Sequence, residues 1–391
     1  MLSNVIYLCN ALDEETKNVR RITTDSPAAT KKVFGLCQAL KISDVIPIVL
    51  SMGRGRQNGS GHKFLSAKKH IDGIQVHYAF FLHLPILTHI VTAWSLMMGM
   101  CVLLKTEHAA VLAYNRVWHY IPALIVAKLV RIPCFLDLED GWGEKQTYSQ
   151  IVLTKLFDWF CNAGSLLACD KLSDQVKTIN NMSCYGAVDA VKTVERKWQG
   201  ESLQVLFGGS LSEGTGAKMF MQALDIFYKK HQDQAKIMRF IVVGFGDMAE
   251  ELSVYALNKT ELVEFRGSVS NSEYNQLLAD SHIGLCLKQS TGEYNDSTFP
   301  SKVIELSSHG LMLVSTPVSD VPRIFGSKNA LLLPSDSPEA LADALFWLAM
   351  HPDELFIKAL NGQSMILDRF SIKAVGAQLK KFFLDNKNEV I

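Results

Sequence analysis

Short apolar runs rich in β-branched residues alternate along the chain with stretches whose apolar residues recur at helical spacing. The first half contains NVIYLCN, VIPIVLS, AVLAYN, PCFLDL and SLLAC, and the second contains LQVLF, RFIVVG, VEFRG, IGLCL, LMLVST and ALLLP. This alternation predicts βαβ units, in which helices cover both faces of a parallel sheet. We therefore expect an α/β protein with doubly wound sheets.

The strand-like runs become sparse between residues 185 and 203, where the sequence is polar. The 391 residues are also about twice what one compact core usually holds. The pattern therefore predicts two α/β domains that meet near residues 195 and 196. Open α/β sheets bind ligands outside the carboxyl ends of their strands, so the chemistry is expected in a cleft between the two domains.

Composition narrows the choice of function. Lys plus Arg and Asp plus Glu each number 39, so no net charge attracts nucleic acid, and no nucleic-acid partner is expected. The 48% apolar and 20% charged residues indicate a folded protein. Eight scattered cysteines, none in a CxxC pair, are expected to be buried, reduced thiols. The first residues lack the features of a signal peptide, so we expect a cytoplasmic location.

The segment from Gly73 to Leu104 contains no charged residue, and residues 84–104 are long enough to span a bilayer. Its place between two strand-like runs favours a buried crossover helix. A helix that also dips into a membrane, and a true span, are the alternatives. The preceding basic, Gly-rich residues 53–70 are either a solvated loop or a contact for anionic lipid or a phosphate-bearing acceptor. Residues 53–104 are thus a candidate peripheral contact with the inner face of the cytoplasmic membrane.

Two glycine-rich turns follow strands in the second half. Gly209, Ser210 and Gly216 lie between a strand and a helix, where backbone N–H groups can bind phosphate. Gly244 and Gly246 match GxGxxA after a strand. That match is a weak dinucleotide fingerprint, and a close-packed turn is favoured instead.

The most specific stretch is FPSKVIELSSHG, which begins at Phe299. Pro300 is expected in the first turn of a helix, followed by Ser301, Lys302 and Glu305. Such a helix start offers N–H groups and a lysine to a diphosphate, and its carboxylate can accept hydrogen bonds from two ribose hydroxyls. This spacing predicts a nucleotide site, and residues 288–299 are expected to contact the sugar.

Polar residues also follow two strands of the first half. Asp137, Glu139 and Asp140 end a strand, where they could bind acceptor hydroxyls or serve only as a cap or solvated strand end. Arg116 and His119 follow another strand and are candidates for acceptor binding. A structural histidine with satisfied ring nitrogens is the alternative for His119.

Over about 203–350 the chain resembles glycosyltransferase family 4, the retaining glycosyltransferases of the GT-B fold, in which two Rossmann-like domains face a cleft. GGSLSEGTG, VVGFGD and FPSKVIELSSHGLMLVSTP carry the resemblance, and the first half matches more weakly but in order. The resemblance implies an acceptor-binding domain over 1–195 and a nucleotide-sugar-binding domain over 196–370. A last helix over 371–391 would return to the first domain.

The resemblance also implies a reaction: transfer of a sugar, with retention, from a nucleotide-diphosphate sugar to a glycan or polyprenyl-linked acceptor. Cell-envelope polysaccharide biosynthesis is the expected context, and neither a metal nor another cofactor is expected. The implied catalytic residues are Lys302 and Glu139. The implied nucleotide-sugar site comprises Gly209, Ser210, Gly216, Gly244, Gly246, Pro300, Ser301, Lys302 and Glu305. The implied acceptor site comprises Arg116, His119 and Asp140.

The chain departs from the family pattern in three respects. Ser297 replaces the first of two paired glutamates, Ser210 and Thr215 replace a loop arginine and lysine, and Glu139 stands where a histidine is usual. Two alternatives therefore stay open. One is a nucleotide-sugar epimerase of the same fold, and the other is a non-catalytic partner subunit.

Overall fold

The chain forms two compact units. The computed structural model describes residues 2–57, 62–84, 86–104, 109–143, 145–189, 202–290 and 297–386. Unit 1 comprises Met1–Ala187 and Ile372–Ile391, and unit 2 comprises Val188–Ser371. The boundary expected at residues 195 and 196 lies outside the described residues.

Unit 1 is built on an eight-stranded sheet in the order β12-β11-β10-β9-β1-β3-β7-β6, parallel except for β6. Unit 1 also has four short strands outside this sheet, β2, β4, β5 and β8. In chain order, its strands are β1 (Asn4–Cys9), β2 (Ile22–Thr24), β3 (Ile46–Ser51), β4 (Arg56–Gln57), β5 (Lys63–Phe64), β6 (Ala67–Ile71), β7 (Ile74–Tyr78), β8 (Phe81–Leu82), β9 (Ala109–Tyr114), β10 (Cys134–Leu138), β11 (Gly164–Leu167) and β12 (Asn181–Ser183). Its first five helices are α1 (Glu14–Val19), α2 (Pro27–Ile42), α3 (Leu87–Leu103), α4 (Ile121–Leu129) and α5 (Tyr148–Phe160).

Unit 2 has a six-stranded, fully parallel sheet in the order β15-β14-β13-β16-β17-β18. Its strands are β13 (Leu203–Ser210), β14 (Met238–Phe245), β15 (Val263–Gly267), β16 (Ile283–Cys286), β17 (Met312–Ser315) and β18 (Leu331–Leu332). Its helices are α6 (Ala217–Lys230), α7 (Gln232–Lys236), α8 (Ala249–Leu257), α9 (Asn271–Asp280), α10 (Lys302–Ser308), α11 (Val321–Asn329), α12 (Pro338–Met350) and α13 (Pro352–Phe370).

The last helix, α14 (Ile372–Asn386), belongs to unit 1 and packs on α2. The two helices approach closely at Gly376, where an added Cβ would lie 2.1 Å from the carbonyl oxygen of Ala39. Phe382 and Phe383 contact the ring of Phe135 on β10, with centroids 5.6 and 4.8 Å away. The C-terminal segment thus completes the core of unit 1.

Both sheets have the strand order of a dinucleotide-binding fold. In each unit the chain first adds strands on one side of the first strand, which is β1 in unit 1 and β13 in unit 2. It then crosses back and adds the remaining strands on the other side of that first strand. The order therefore reverses between β1 and β9 in unit 1 and between β13 and β16 in unit 2. Such switch points leave a crevice outside the carboxyl ends of the two strands, where ligands of α/β proteins bind.

Helix α3 differs from the buried crossover helix that the sequence favoured. Its Leu96 and Met100 are buried, but its opposite face exposes Ile90, Trp94 and Met98. Because both faces are apolar, the sequence pattern could not tell the buried face from the exposed one. Within the described ranges, no helix combines the length and apolar character needed to cross a membrane.

The buried faces of the other elements follow the sequence pattern more closely. The apolar face expected on α6 is buried in the core of unit 2, at Met219, Phe220, Ala223, Leu224 and Phe227. All eight cysteines are free, and seven are buried as expected. The exception, Cys101, lies on the exposed face of α3, so the expectation was wrong there.

Candidate functional site

In unit 2, the two glycine turns meet at the carboxyl ends of β13 and β14. Gly209 pairs with Gly244 across the sheet, and both have left-handed φ values, 119° and 137°. A Cβ on Gly244 would lie 1.8 Å from the carbonyl oxygen of Gly209, and one on Gly246 would lie 2.2 Å from that of Leu211. Backbone contact therefore requires these glycines, as expected for a close-packed turn.

Lys302, at the start of α10, lies directly over the glycine turn. A Cβ added to Gly209 would be 2.9 Å from Cε and 3.0 Å from Nζ of Lys302. The space above Gly209 is thus occupied by the ammonium group, which reaches it from the far side of the switch point between β13 and β16. A ligand phosphate bound there would meet a positive charge and the exposed backbone of the turn.

Tyr274 connects the two charged residues that the sequence singled out. Lys302 Nζ donates to Tyr274 Oη (3.0 Å), and Tyr274 Oη donates to Glu305 Oε2 (3.2 Å). Burial and the charge of Glu305 raise the pKa of Tyr274, so its hydroxyl stays protonated. The Lys302 and Glu305 side chains remain 27% and 17% exposed, so both can reach a ligand. No sequence signal pointed to Tyr274, because it lies on α9, far from the FPSK motif.

The remaining predicted residues of unit 2 surround this group. Helix α10 begins at Lys302, so Pro300 lies just before the helix and not within its first turn, and Ser301 is the exposed N-cap residue. The turn is still ordered, because Val303 N–H donates to the Pro300 carbonyl (3.0 Å). Residues 291–296, within the loop expected to contact the sugar, lie outside the described residues.

Ser210 and Thr215, the positions where the family pattern has a loop arginine and lysine, lie in a closed polar turn. Thr215 Oγ1 donates to the Ser210 carbonyl oxygen (2.7 Å) and accepts from Ser212 N–H (2.9 Å). The next residue, Gly216, has φ 87°, and a Cβ there would lie 2.3 Å from the Leu287 carbonyl oxygen. The Thr215 hydroxyl therefore stabilises the turn through backbone groups and adds no charge.

In unit 1, Glu139 belongs to a charged cluster after β10. Lys32, on α2, forms ion pairs with Glu139 and with Asp137, the latter at 3.1 Å. Asp137 is fully buried and also accepts a hydrogen bond from the buried hydroxyl of Tyr7. Burial and Asp137 raise the pKa of Glu139, although Lys32 opposes this. One lysine thus faces two carboxyl groups, and in the favoured state the two carboxyl groups together carry one proton.

Asp140 and Glu139 are oriented by Asn115, which follows β9 with a left-handed φ of 57°. Asn115 Oδ1 accepts from the N–H groups of Glu139 (2.7 Å) and Asp140 (3.2 Å), and its Nδ2 donates to Asp140 Oδ2 (2.9 Å). The Asp140 side chain is exposed, while Asp137 is neither a helix cap nor a solvated strand end. Sequence reasoning missed Asn115, Lys32 and Tyr7.

Arg116 is almost entirely buried, at 5% exposure. Its Nη2 donates to the Gln175 carbonyl oxygen, while Nε and Nη1 are buried with no hydrogen-bond partner in the described part of the chain. It borders a cavity of about 250 Å³ whose lining consists of Arg116, Val117, Trp118, His119, Trp142, Ser149, Gln150 and Leu153. The structure thus brings two of the predicted acceptor residues, Arg116 and His119, to one cavity.

His119 is not the satisfied structural histidine that the sequence left as an alternative. Its Nε2 accepts from Arg54 Nη1 (2.7 Å) and lies 2.8 Å from Nδ1 of His89, while its own Nδ1 is buried and has no partner among the residues that the structure describes. Burial, Arg54 and His89 lower the pKa of His119 to about 4, so the ring is neutral near pH 7.

The comparisons with known proteins agree with the geometry of unit 2. Residues 202–351 match the family model described as glycosyl transferases group 1. Unit 2 thus contains a domain that matches this family. The glycine turns, Lys302, Tyr274 and Glu305 all lie within the matched residues. The sequence has no significant match among curated proteins.

Solved structures of similar shape extend over nearly the whole chain. HepE of Anabaena, crystallised with UDP, has a TM-score of 0.67 at 15% identity and covers 98% of this chain and 100% of its own. TarM has a TM-score of 0.70 at 9% identity, covering 98% and 99%. Sucrose-phosphate synthase of Thermosynechococcus elongatus has 0.66 at 11% identity, covering 98% of each chain. The chain therefore has the GT-B fold of two Rossmann-like domains.

Proposed function

We propose that this chain is a retaining, metal-independent glycosyltransferase that moves a sugar from a nucleotide-diphosphate sugar to a glycan or lipid-linked acceptor. The observation that carries the proposal is the group of Lys302, Tyr274 and Glu305 beside Gly209. It combines a cation, a hydroxyl and a carboxylate at a switch point, inside a domain of the matching family. A diphosphate and a ribose require these partners.

Each group has a defined task in the proposed reaction. Glu305 accepts hydrogen bonds from the ribose hydroxyls, and Tyr274 holds Glu305 and Lys302 in place. The acceptor hydroxyl attacks the anomeric carbon on the face that the diphosphate leaves, and its proton passes to the departing phosphate oxygen. Lys302 stabilises the charge that builds on that oxygen, a contribution of about 3 kcal/mol or roughly a hundredfold in rate.

We propose a uridine nucleotide as the donor. The structures of HepE hold UDP, or UDP-glucose, at 15% sequence identity to this chain. The closed turn at Ser210 and Thr215 leaves Lys302 and backbone N–H groups to meet the diphosphate. Lys218, in the first turn of α6, is 54% exposed and forms an ion pair with Glu213 (3.5 Å).

We propose that unit 1 binds the acceptor and that its contacts are Glu139, Asp140, Arg116 and His119. Glu139 shares a proton within its cluster and can exchange it with an acceptor hydroxyl. The exposed apolar face of α3 supports a peripheral location at the cytoplasmic side of the membrane. Cell-envelope polysaccharide biosynthesis is the process in which we place the reaction.

Calorimetric titration with UDP, GDP and ADP in the presence of EDTA tests the donor site. We expect UDP to bind without metal, and Glu305→Gln to weaken it by about 1.5–3 kcal/mol, roughly 10- to 100-fold, because a charged hydrogen-bond partner is lost. Glu354→Gln, an exposed change on α13, is the matched control. Absence of binding, or equal affinity in Glu305→Gln, would refute the donor site.

Turnover separates the proposal from its alternatives. Incubation with UDP-sugars and acceptor lipids should release UDP and give a product whose anomeric configuration, read by NMR, equals that of the donor. Lys302→Met should slow release about a hundredfold, and Lys229→Met on the exposed side of α6 should not. Isomerisation of the sugar without an acceptor would identify an epimerase. Tight binding without turnover would identify a non-catalytic partner subunit.

A further inference from the structure

The switch point of unit 1 carries a second group of side chains, formed by Arg54, His89 and His119. Arg54 follows β3 and is held at the end of β1, because Asn10 Nδ2 donates to the Arg54 carbonyl (2.8 Å) and Arg54 N–H donates to Asn10 Oδ1 (3.1 Å). His119 follows β9, and His89 lies in the first turn of α3. Three neighbouring strands thus direct the group to the edge where α/β sheets bind ligands.

This group has more hydrogen-bond donors than acceptors. Arg54 Nη1 lies 2.7 Å from His119 Nε2 and 3.5 Å from His89 Nδ1, and the two imidazole rings stack at 5.0 Å. His89 Nδ1 accepts from Arg54 in one tautomer and donates to His119 Nε2 in the other. Among the described residues, no carboxylate contacts any of the three side chains. An anion would supply the missing acceptors and relieve the repulsion that lowers the pKa of His119.

The same group stands at one end of an exposed apolar surface. His89 begins the uncharged helix α3, and the next turns expose Ile90, Trp94 and Met98, at 62%, 59% and 44%. No Asp, Glu, Lys or Arg occurs from Gly73 to Leu104. A cationic head site beside an uncharged, Trp-bearing face complements an amphiphile that has a phosphate head and a hydrocarbon tail.

We propose that Arg54, His89 and His119 bind the phosphate group of a lipid-linked acceptor whose hydrocarbon chain remains in the bilayer against the exposed face of α3. This inference deepens the proposed function and rests on it for the role of the lipid as acceptor. It assigns the phosphate contact to residues outside the Glu139 cluster.

Vesicle flotation tests the site with the full-length protein. The vesicles are phosphatidylcholine alone, with a small fraction of farnesyl phosphate, or with the same fraction of phosphatidylglycerol. We expect selective binding to farnesyl phosphate vesicles, reduced about tenfold or more in Arg54→Gln and in His89→Asn. Lys41→Gln, which removes an exposed charge elsewhere in unit 1, should bind as the wild type does. His89 is exposed, so its variant is expected to fold even if Arg54→Gln does not.

Two matched variants test the apolar part of the site. Ile90→Ser should weaken vesicle binding severalfold, whereas Ile357→Ser, at a similar exposure of 58% on α13, should have no effect. Inorganic phosphate should compete only weakly, because it lacks the tail. Equal binding to phosphatidylglycerol vesicles, or unchanged binding in His89→Asn, would overturn the proposal. The proposal would also be overturned if inorganic phosphate bound as tightly as farnesyl phosphate and its binding were unchanged in Ile90→Ser.

UDP titration on the same preparations separates this inference from the proposed function. UDP binding with no selectivity for farnesyl phosphate would reject the lipid-phosphate site and leave the donor site in place. Selective vesicle binding without UDP binding would reject the proposed function, and the site would then be one for a lipid phosphate that is not an acceptor.

Discussion

Replacing Lys32 with Met tests the charged cluster of unit 1 without knowledge of any substrate. The side chain of Lys32 is only 10% exposed and faces fully buried Asp137 at 3.1 Å. At an effective dielectric constant of 20, a pair at this distance contributes about 5 kcal/mol of attraction, partly offset by desolvation. The variant leaves the carboxyl groups of Asp137 and Glu139 without their cation. We expect it to lower the free energy of unfolding of unit 1 by about 3–5 kcal/mol at pH 8.

The pKa of Glu139 determines whether the stability lost in Lys32→Met grows or shrinks as the pH rises. Its pKa is raised from 4.5 to about 8, mainly by burial, with Lys32 as the main lowering influence. A carboxyl with a raised pKa contributes stability that is complete below pH 4.5 and is lost as the pH rises through 8. Without Lys32 the pKa of Glu139 rises further. The loss of stability in Lys32→Met should therefore be larger at pH 8 than at pH 5, where Glu139 is protonated and the loss of the pair with Asp137 remains.

Differential scanning calorimetry at pH 5 and pH 8 measures both effects. A loss of about 3 kcal/mol corresponds to a fall of roughly 10 °C in the melting temperature of a unit of this size. Under the proposed function, saturating UDP should shift the transition of unit 2, because a ligand raises the melting temperature of the unit that it binds. Lys41→Met, an exposed lysine of α2, is the control. A variant as stable as wild type would refute the buried ion pairs, and a deficit equal at both pH values would refute the raised pKa of Glu139.

Three further results are expected. Gly244→Ala should destabilise unit 2 by at least about 3 kcal/mol in urea unfolding, because its Cβ would collide with Gly209, whereas Gly214→Ala, with nothing within 4 Å, should not. The pKa of His119 is lowered from 6.5 to about 4, so protonation favours the unfolded state, and wild type should lose more stability between pH 6.5 and 4 than His119→Asn. Ser210→Arg should tighten UDP binding about tenfold in calorimetry, because the exposed side chain adds a cation beside Lys302; unchanged affinity would mean that position 210 does not face the diphosphate.

The strands could be predicted because their apolar, β-branched runs are a direct consequence of burial on both faces of a parallel sheet. Each run named from the sequence lies in a strand, from β1 through β18. Glu305 and Lys302 were predictable because a proline and a charged pair mark a helix start. Tyr274 and Lys32 were not, since each reaches the site from the polar side of a helix that packs beside the strands. Their local sequences look like those of any solvated helix.

The two units use the same strand order but differ in the charge at the switch point, and this difference bears on which ligand each can hold. In unit 2, one lysine and one glutamate are joined by Tyr274, so the site offers a cation for phosphate and an acceptor for hydroxyls. In unit 1, the carboxyl groups are already paired with Lys32, while Arg54 lacks any carboxylate among the described residues. Under the proposal, acceptor hydroxyls are oriented at the Glu139 cluster while Arg54 binds an acceptor phosphate. A neutral glycan would make only the first of these contacts, which is the argument for proposing a lipid phosphate as the acceptor.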